Sequence, residues 1–332
     1  MVSRFGMVYA AAWRVNEVIM DNRRGFSLLR PSTRAFFRER RTAPGTSFLD
    51  VLHGYVYGRW PYFYIGAATG ARPIPLLLRP IVRAGAWLVS RKTRAAEPGR
   101  NGFADRYHGK VMPLDAAERL VTLDIGLDLR GLEQIVPYPI ARDIVLRHPD
   151  HIVALECPCR AERENPCLPV DVCLVVGEPF ASFVVDHNPK RSRWITQSEA
   201  VEILRAEHER GHVHHAFFKD AMLGRFYAIC NCCSCCCGAM QAFRHGVPML
   251  ASSGYVARSD AGRCVACGVC VNACPFAALS LDGGVLRIDE AVCMGCGVCV
   301  SKCPRGALLL ARDPSKPEPL EVRELVAAGR SS

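Results

Sequence analysis

Cys264-Val265-Ala266-Cys267-Gly268-Val269-Cys270-Val271-Asn272-Ala273-Cys274-Pro275 is answered downstream by Cys293-Met294-Gly295-Cys296-Gly297-Val298-Cys299-Val300-Ser301-Lys302-Cys303-Pro304. Each cysteine of the first run recurs 29 positions later in the second, and a proline closes both. Two residues between cysteines let a tight loop present three thiolates to one centre. Gly268, Gly295 and Gly297 ease the bends because they lack a Cβ. The loops also bring backbone N–H groups near the sulfurs, and such hydrogen bonds help set a reduction potential.

The duplicated C-x2-C-x2-C-x3-C-P pattern resembles the bacterial-type ferredoxin family, which carries two [4Fe–4S] clusters. The resemblance runs roughly from Arg263 to Arg312. It implies that the fourth cysteine of each run serves the other cluster. Cluster I would then use Cys264, Cys267, Cys270 and Cys303. Cluster II would use Cys293, Cys296, Cys299 and Cys274. Histidine is missing from both loops, which excludes a Rieske-type centre, and the expected potentials are low, on the order of −400 mV. Zinc sites favour two cysteine pairs with a longer spacer. Eighteen cysteines in 332 residues, gathered in tight groups, fit metal binding in a reducing compartment better than a disulfide scaffold.

Ten cysteines lie outside these runs. Cys157, Cys159, Cys167 and Cys173 form a loose upstream group. Cys230, Cys232, Cys233, Cys235, Cys236 and Cys237 form a tight downstream one. Cys230, Cys233 and Cys236 repeat the three-ligand spacing, so we expect one cube there, completed by Cys157 or Cys159. The remaining Cys232, Cys235 and Cys237 would join Cys167 or Cys173 in a second centre. This stretch resembles elements of multi-cluster iron–sulfur proteins of anaerobic electron transfer. One or two further iron–sulfur clusters are the first expectation and zinc the alternative. Bare thiols are disfavoured, because crowded cysteines oxidise unless a metal holds them. His214 is a candidate extra ligand, and Arg160 a candidate for offsetting cluster charge.

The chain has a net charge of +10, and its first 110 residues hold 19 Lys/Arg against 6 Asp/Glu. That basic region suits an acidic protein partner or an anionic membrane surface; no nucleic-acid motif accompanies it. Pro73–Ser90 is too short and too interrupted by Arg79, Arg83 and prolines to span a bilayer; an interfacial or buried helix over residues 81–91 fits it better. Arg23-Arg24 is followed by more arginines rather than an apolar stretch, so an export signal is not expected. The expected location is cytoplasmic, with peripheral membrane contact as an option.

The expected fold class is α+β. A basic, mainly helical region and linker would cover residues 1–110, with a helix over residues 1–20, a turn at Ala43–Ser47 and a linker over 91–110. A mixed α/β cysteine-rich domain would follow over 111–255, the ferredoxin-like domain over 256–315 and a tail over 316–332. Tyr55–Tyr64 packs six aromatics into ten residues and reads as a wrap over the middle domain or a docking surface. Ile152–Leu155 and Phe226–Ile229 read as strands, and residues 172–185 as two strand runs broken at Gly177-Glu178-Pro179. Thr196-Gln197-Ser198-Glu199 is a capping box opening a helix that stops at Gly211. No P-loop, dinucleotide fingerprint or hydrolase signature is present. A flavin or nucleotide would therefore sit on a partner, for which a flavoprotein is one candidate. The expected function is single-electron relay. The alternative is a reductase whose middle-domain cluster is the catalytic site.

Overall fold

A computed structural model describes residues 29–39, 43, 48–71, 107–138 and 143–330. The helix expected over residues 1–20, the arginine pair at 23–24, most of the 43–47 turn, the 81–91 helix and residues 91–106 lie outside these. Among the described residues no helix is long and apolar enough to cross a membrane.

The protein is mixed α/β, centred on an eight-stranded sheet. Its strands are β1 (Tyr107–Met112), β2 (Leu127–Leu129), β3 (Ile144–Leu155), β4 (Cys173–Glu178), β5 (Ser192–Ile195), β6 (Val213–Lys219), β7 (Arg225–Cys232) and β8 (Leu250–Ala251). Their order is β2-β3-β4-β7-β6-β1-β8, with β5 pairing the far half of β3. Among the described strand pairs of this sheet only β1–β8 is parallel. β1 begins inside the stretch expected to be linker.

Strand alternation divides the core. Val111, Val153, Leu155, Cys173, Val175 and Phe217 belong to one apolar cluster. Their neighbours Met112, Ile152, Ala154, Leu174, Val176 and Phe218 belong to another. A register shift between Phe217 and Phe218 leaves Tyr227 as an extra residue in β7, and both Tyr227 and Ala228 join the first cluster.

On the second face lies the helix Gln197–Glu209. Thr196 Oγ1 accepts from the Glu199 N–H at 3.1 Å, and Gly211 follows the helix at φ +83°. The Thr196 N-cap and the terminating glycine act as the sequence implies, while the Glu199 carboxylate accepts from Arg193. Residues 172–185 depart from expectation. β4 ends at Glu178, and Phe180–His187 is a helix with Phe180, Ala181, Phe183 and Val184 buried. Pro179 stands at its N-cap, and the apolar spacing i, i+1, i+3, i+4 suits a helix lying against a sheet.

The first face is roofed by the helices Pro31–Arg38, Phe48–Arg59 and Pro61–Ala68. The dense aromatic stretch therefore wraps the sheet: Tyr57 and Ile65 are buried in the first cluster, and Tyr55, Tyr62 and Tyr64 pack on it. The roof comes close because of its glycines. A Cβ at Gly54 would lie 1.9 Å from the Ala221 carbonyl oxygen.

The C-terminal segment pairs β9 (Tyr255–Ser259) with β12 (Leu308–Arg312) and β10 (Leu279–Asp282) with β11 (Val285–Ile288). The residues expected to be a tail return to the middle of the molecule. Leu320 and Val322 are buried in the second cluster, the Glu318 carbonyl accepts from buried Lys110 Nζ at 2.7 Å, and a helix follows over Val322–Arg330.

Candidate metal centres

The two cysteine runs frame two cavities. Cys264, Cys267 and Cys270 line the first together with Cys303 from the other run. Cys293, Cys296 and Cys299 line the second together with Cys274. Gly268 and Gly297, at φ +76° and +81°, are the N-caps of the short helices Val269–Ala273 and Val298–Ser301. Backbone N–H groups meet sulfur at Ala278 to Cys274 (3.3 Å), Ala307 to Cys303 (3.3 Å) and Ala257 to Cys293 (3.4 Å).

The two cavities differ in setting. Cys267 is exposed, and Val265 and Val269 beside it stand in solvent. Cys293, Cys296 and Cys299 are all buried. Met294, Cys296 and Val298 share the apolar cluster that contains Cys157, Cys173, Cys232 and Cys237. Phe276 meets Phe243 edge-on at 6.2 Å. Arg244 donates to the Ser234 carbonyl (3.1 Å) and the Pro275 carbonyl (3.2 Å), tying the middle cysteine loop to the turn after Cys274.

The structure brings the upstream and downstream cysteine groups of the middle region together. β3 ends at Leu155 and delivers Cys157; the Cys157 N–H donates to the Val170 carbonyl at 2.6 Å. β4 starts at Cys173, which sits opposite Cys230 on β7. Cys237 caps the helix Gly238–Arg244. The thiols form a continuous chain, Cys230–Cys173–Cys157–Cys159–Cys237–Cys232. All six line one cavity, along with Cys233, Tyr57, Tyr107, Tyr227 and Arg160. Its volume is about 60 Å³, against about 20 and 10 Å³ for the two ferredoxin cavities on the same measure.

The surroundings fit an anionic metal–thiolate centre. The hydrogen bond with Cys159, then burial, pushes the Cys157 thiol up to about 12. Despite a lowering hydrogen bond with Cys237, burial lifts Cys232 to about 12. These thiols ionise only when a cation joins them. Arg160 is 1 % exposed, and its guanidinium acts electrostatically on Cys157 and Cys233. It donates to Glu207 Oε2 (2.6 Å) and the Asn231 carbonyl (2.9 Å), while its Nε is buried without a partner. A buried N–H left free on that guanidinium suits a sulfur acceptor. Lys219 Nζ, also buried, lies over the rings of Tyr107 (4.3 Å), Tyr57 (4.5 Å) and Tyr64 (5.1 Å). Burial lowers it to about 8.

A second group lies alongside and shares Cys233 with the cavity wall. Cys167, Cys233, Cys235 and Cys236 hold their four sulfurs within 4.8 Å of one another, and this group could hold an additional metal. Cys167 and Cys235 are 3.1 Å apart, Cys235 and Cys236 3.7 Å. The expected division, Cys230/Cys233/Cys236 against Cys232/Cys235/Cys237, is thus replaced. Cys230 and Cys232 belong to an extended strand, whose alternation turns both to one face. The chain leaves the strand at Cys233, so i, i+3 spacing across that boundary does not describe one loop.

His214 does not line the cavity. It lies one position from Val213 of the first cluster, so alternation turns it to the opposite face. There it hydrogen-bonds Asn231 Oδ1 at 2.6 Å and stacks on His208 at 5.5 Å. Burial lowers it to about 4. It leaves the ligand set and becomes a partner of the residue between Cys230 and Cys232. No short motif announces Tyr57, Tyr107, Tyr227 and Lys219 as a group, since they come from three stretches separated by 50 and by more than 110 residues.

No curated protein matches the chain. Residues 263–307 match the family described as the 4Fe-4S dicluster domain. Such a domain implies two [4Fe–4S] clusters and electron transfer. The segment near the C-terminus of this 332-residue chain is therefore a 4Fe-4S dicluster domain.

Proposed function

We propose that the chain relays single electrons from a partner protein, through the two dicluster-domain clusters, to a third, polynuclear iron–sulfur centre held by the six-thiol chain. Cys264, Cys267, Cys270 and Cys303 would hold the entry cluster. Cys293, Cys296, Cys299 and Cys274 would hold the next. The observation that carries this order is the shared core: Met294, Cys296 and Val298 belong to the same apolar cluster as Cys157, Cys173, Cys232 and Cys237. Cys267 and Val265 face outward and suit a docking redox protein, a flavoprotein among the candidates. The basic N-terminal region would add contact with an acidic protein or membrane surface.

Cys296→Ala is the test. In the variant, a low-potential donor protein should still reduce the entry cluster but no longer reduce the third centre; a small chemical reductant should reduce both. If the donor still reduces the third centre of the variant at the wild-type rate, the relay is refuted. Iron analysis is the companion measurement: about eight atoms per chain would mean the dicluster domain alone.

One observation favours a reductase as the second reading. Tyr57 Oη and Tyr227 Oη, 2.8 Å apart, stand in the wall of the six-thiol cavity, where they would be the groups to pass a proton although burial raises both. Turnover by the isolated chain with a chemical reductant would separate the two.

A further inference from the structure

We propose that Cys167, Cys233, Cys235 and Cys236 bind a single tetrahedral zinc ion, which staples together the two segments that deliver the six redox-centre thiols and takes no part in electron transfer. The inference rests on the relay reading only for the role of those six thiols; the ion itself is argued from its own four.

The spacing of the sulfurs decides the nuclearity. Zinc–sulfur bonds of about 2.3 Å in a tetrahedron put the sulfurs about 3.8 Å apart. Here two pairs stand at 3.1 and 3.7 Å, and all four lie within 4.8 Å of one another. A cube gives each thiolate its own iron and spreads the sulfurs wider. The dicluster domain supplies the internal comparison: among the described residues, neither of its cysteine sets closes to within 4.8 Å. The six-thiol chain does not close in that way either.

The donor set, four cysteines with no open position, is that of a closed structural site. Its backbone is clamped as outer partners of a metal site usually are. Gln241 Nε2 donates to the Cys235 carbonyl (2.6 Å), and Arg163 Nη2 donates to the Cys236 carbonyl (3.3 Å) and to Gln241 Oε1 (2.9 Å). Arg244 holds the Ser234 carbonyl (3.1 Å). Two cationic side chains thus stand around a group whose four thiolates and one Zn²⁺ would carry a net charge of −2.

The ligands are nested. Cys167 falls between Cys159 and Cys173, and Cys233, Cys235 and Cys236 fall between Cys232 and Cys237. An ion on the inner cysteines fixes the separation of the outer ones on both segments. The separate roles explain why six cysteines crowd into eight residues.

The full chain, purified anaerobically, tests this by elemental analysis and zinc X-ray absorption. One zinc per chain with four sulfur neighbours at about 2.3 Å is expected. Cys167→Ser and Cys235→Ser should each lose the zinc while the dicluster iron signals persist. Cys235→His should keep it, because three cysteines and one histidine also make a zinc set. That variant keeps the proposal testable if the serine variants fail to fold. Absence of zinc in the wild type overturns the proposal. So does a single iron in its place, or loss of cube iron in Cys235→His with no zinc present. A zinc-loaded protein with no electron transfer to the six-thiol centre would sink the relay and leave the zinc site standing.

Discussion

Arg160→Met isolates the charge that acts on both middle-region cysteine groups, through Cys157 and Cys233. The side chain is 1 % exposed and its partner Glu207 is fully buried, with 2.6 Å between Nη2 and Oε2. Removing one member of a buried pair usually costs about 3–5 kcal/mol, because the other charge is left uncompensated. Glu207 would keep His212 Nδ1 at 2.7 Å and Arg210 Nη1 at 3.1 Å. The lower end, about 3 kcal/mol, is therefore expected. Anaerobic urea unfolding measures it, and Arg205→Met is the control: its pair with Glu118 lies on the surface, and no measurable change is expected. Arg160→Met/Glu207→Gln should be less destabilised than Arg160→Met alone. pH supplies a second readout. Burial would raise the Glu207 carboxyl, but the hydrogen bond with His212 and the charge of Arg160 hold it below its ordinary 4.5. A depressed carboxyl stabilises the fold above its unfolded value and loses that contribution as pH falls through the folded value. In Arg160→Met the contribution shrinks and its loss is complete at higher pH. Unchanged stability together with an unchanged acid limb would refute the assignment of Arg160 as a buried structural cation.

Cys270→Ala and Cys303→Ala should each convert or remove the same cluster and spare the other; electron paramagnetic spectra showing different clusters lost would reject the crossed ligand sets. Gly54→Ala places a Cβ 1.9 Å from the Ala221 carbonyl oxygen. Overpacking of this kind costs about 1–3 kcal/mol. It should lift the helical roof, making the six-thiol centre lose iron to a chelator faster than the dicluster domain does; equal loss rates would count against the roof. Lys110 is held down to about 7 by burial, then by Arg312, against an ordinary 10.5. The unfolded chain binds the extra proton in that window, so stability should rise with pH between 7 and 10.5, by up to about 1.4 kcal/mol per unit. Lys110→Met should flatten the slope; an unaltered slope assigns it elsewhere.

What could be read from the sequence followed how local its determinants are. The dicluster loops are complete within twelve residues each, so spacing alone carried the resemblance. The cap at Thr196 is settled by a residue three positions away. The strand expected after Pro179 is a helix because the buried face of Phe180–His187 is chosen by the sheet it covers. The division of the ten other cysteines depends on where β7 ends and on β4 pairing Cys173 with Cys230, a register between strands more than fifty residues apart. His214 had the right chemistry and the wrong face, a difference of one residue in a strand. The tyrosines around Lys219 come from two roof helices and β1, and only the tertiary fold assembles them.

The roof carries a consequence for biogenesis. Tyr57, Pro61 and Ile65 line a cavity whose thiols come from residues 157–237. The helices Phe48–Arg59 and Pro61–Ala68 leave the ribosome long before β7 exists to receive them. The roof is not complete until more than 150 further residues are synthesised, although the Phe180–His187 helix, which Tyr55 meets at Phe183, comes earlier. That delay keeps the cavity open toward the side they later cover. A metal centre can therefore be built from that side before closure, and docking of these two helices becomes the step that seals it in.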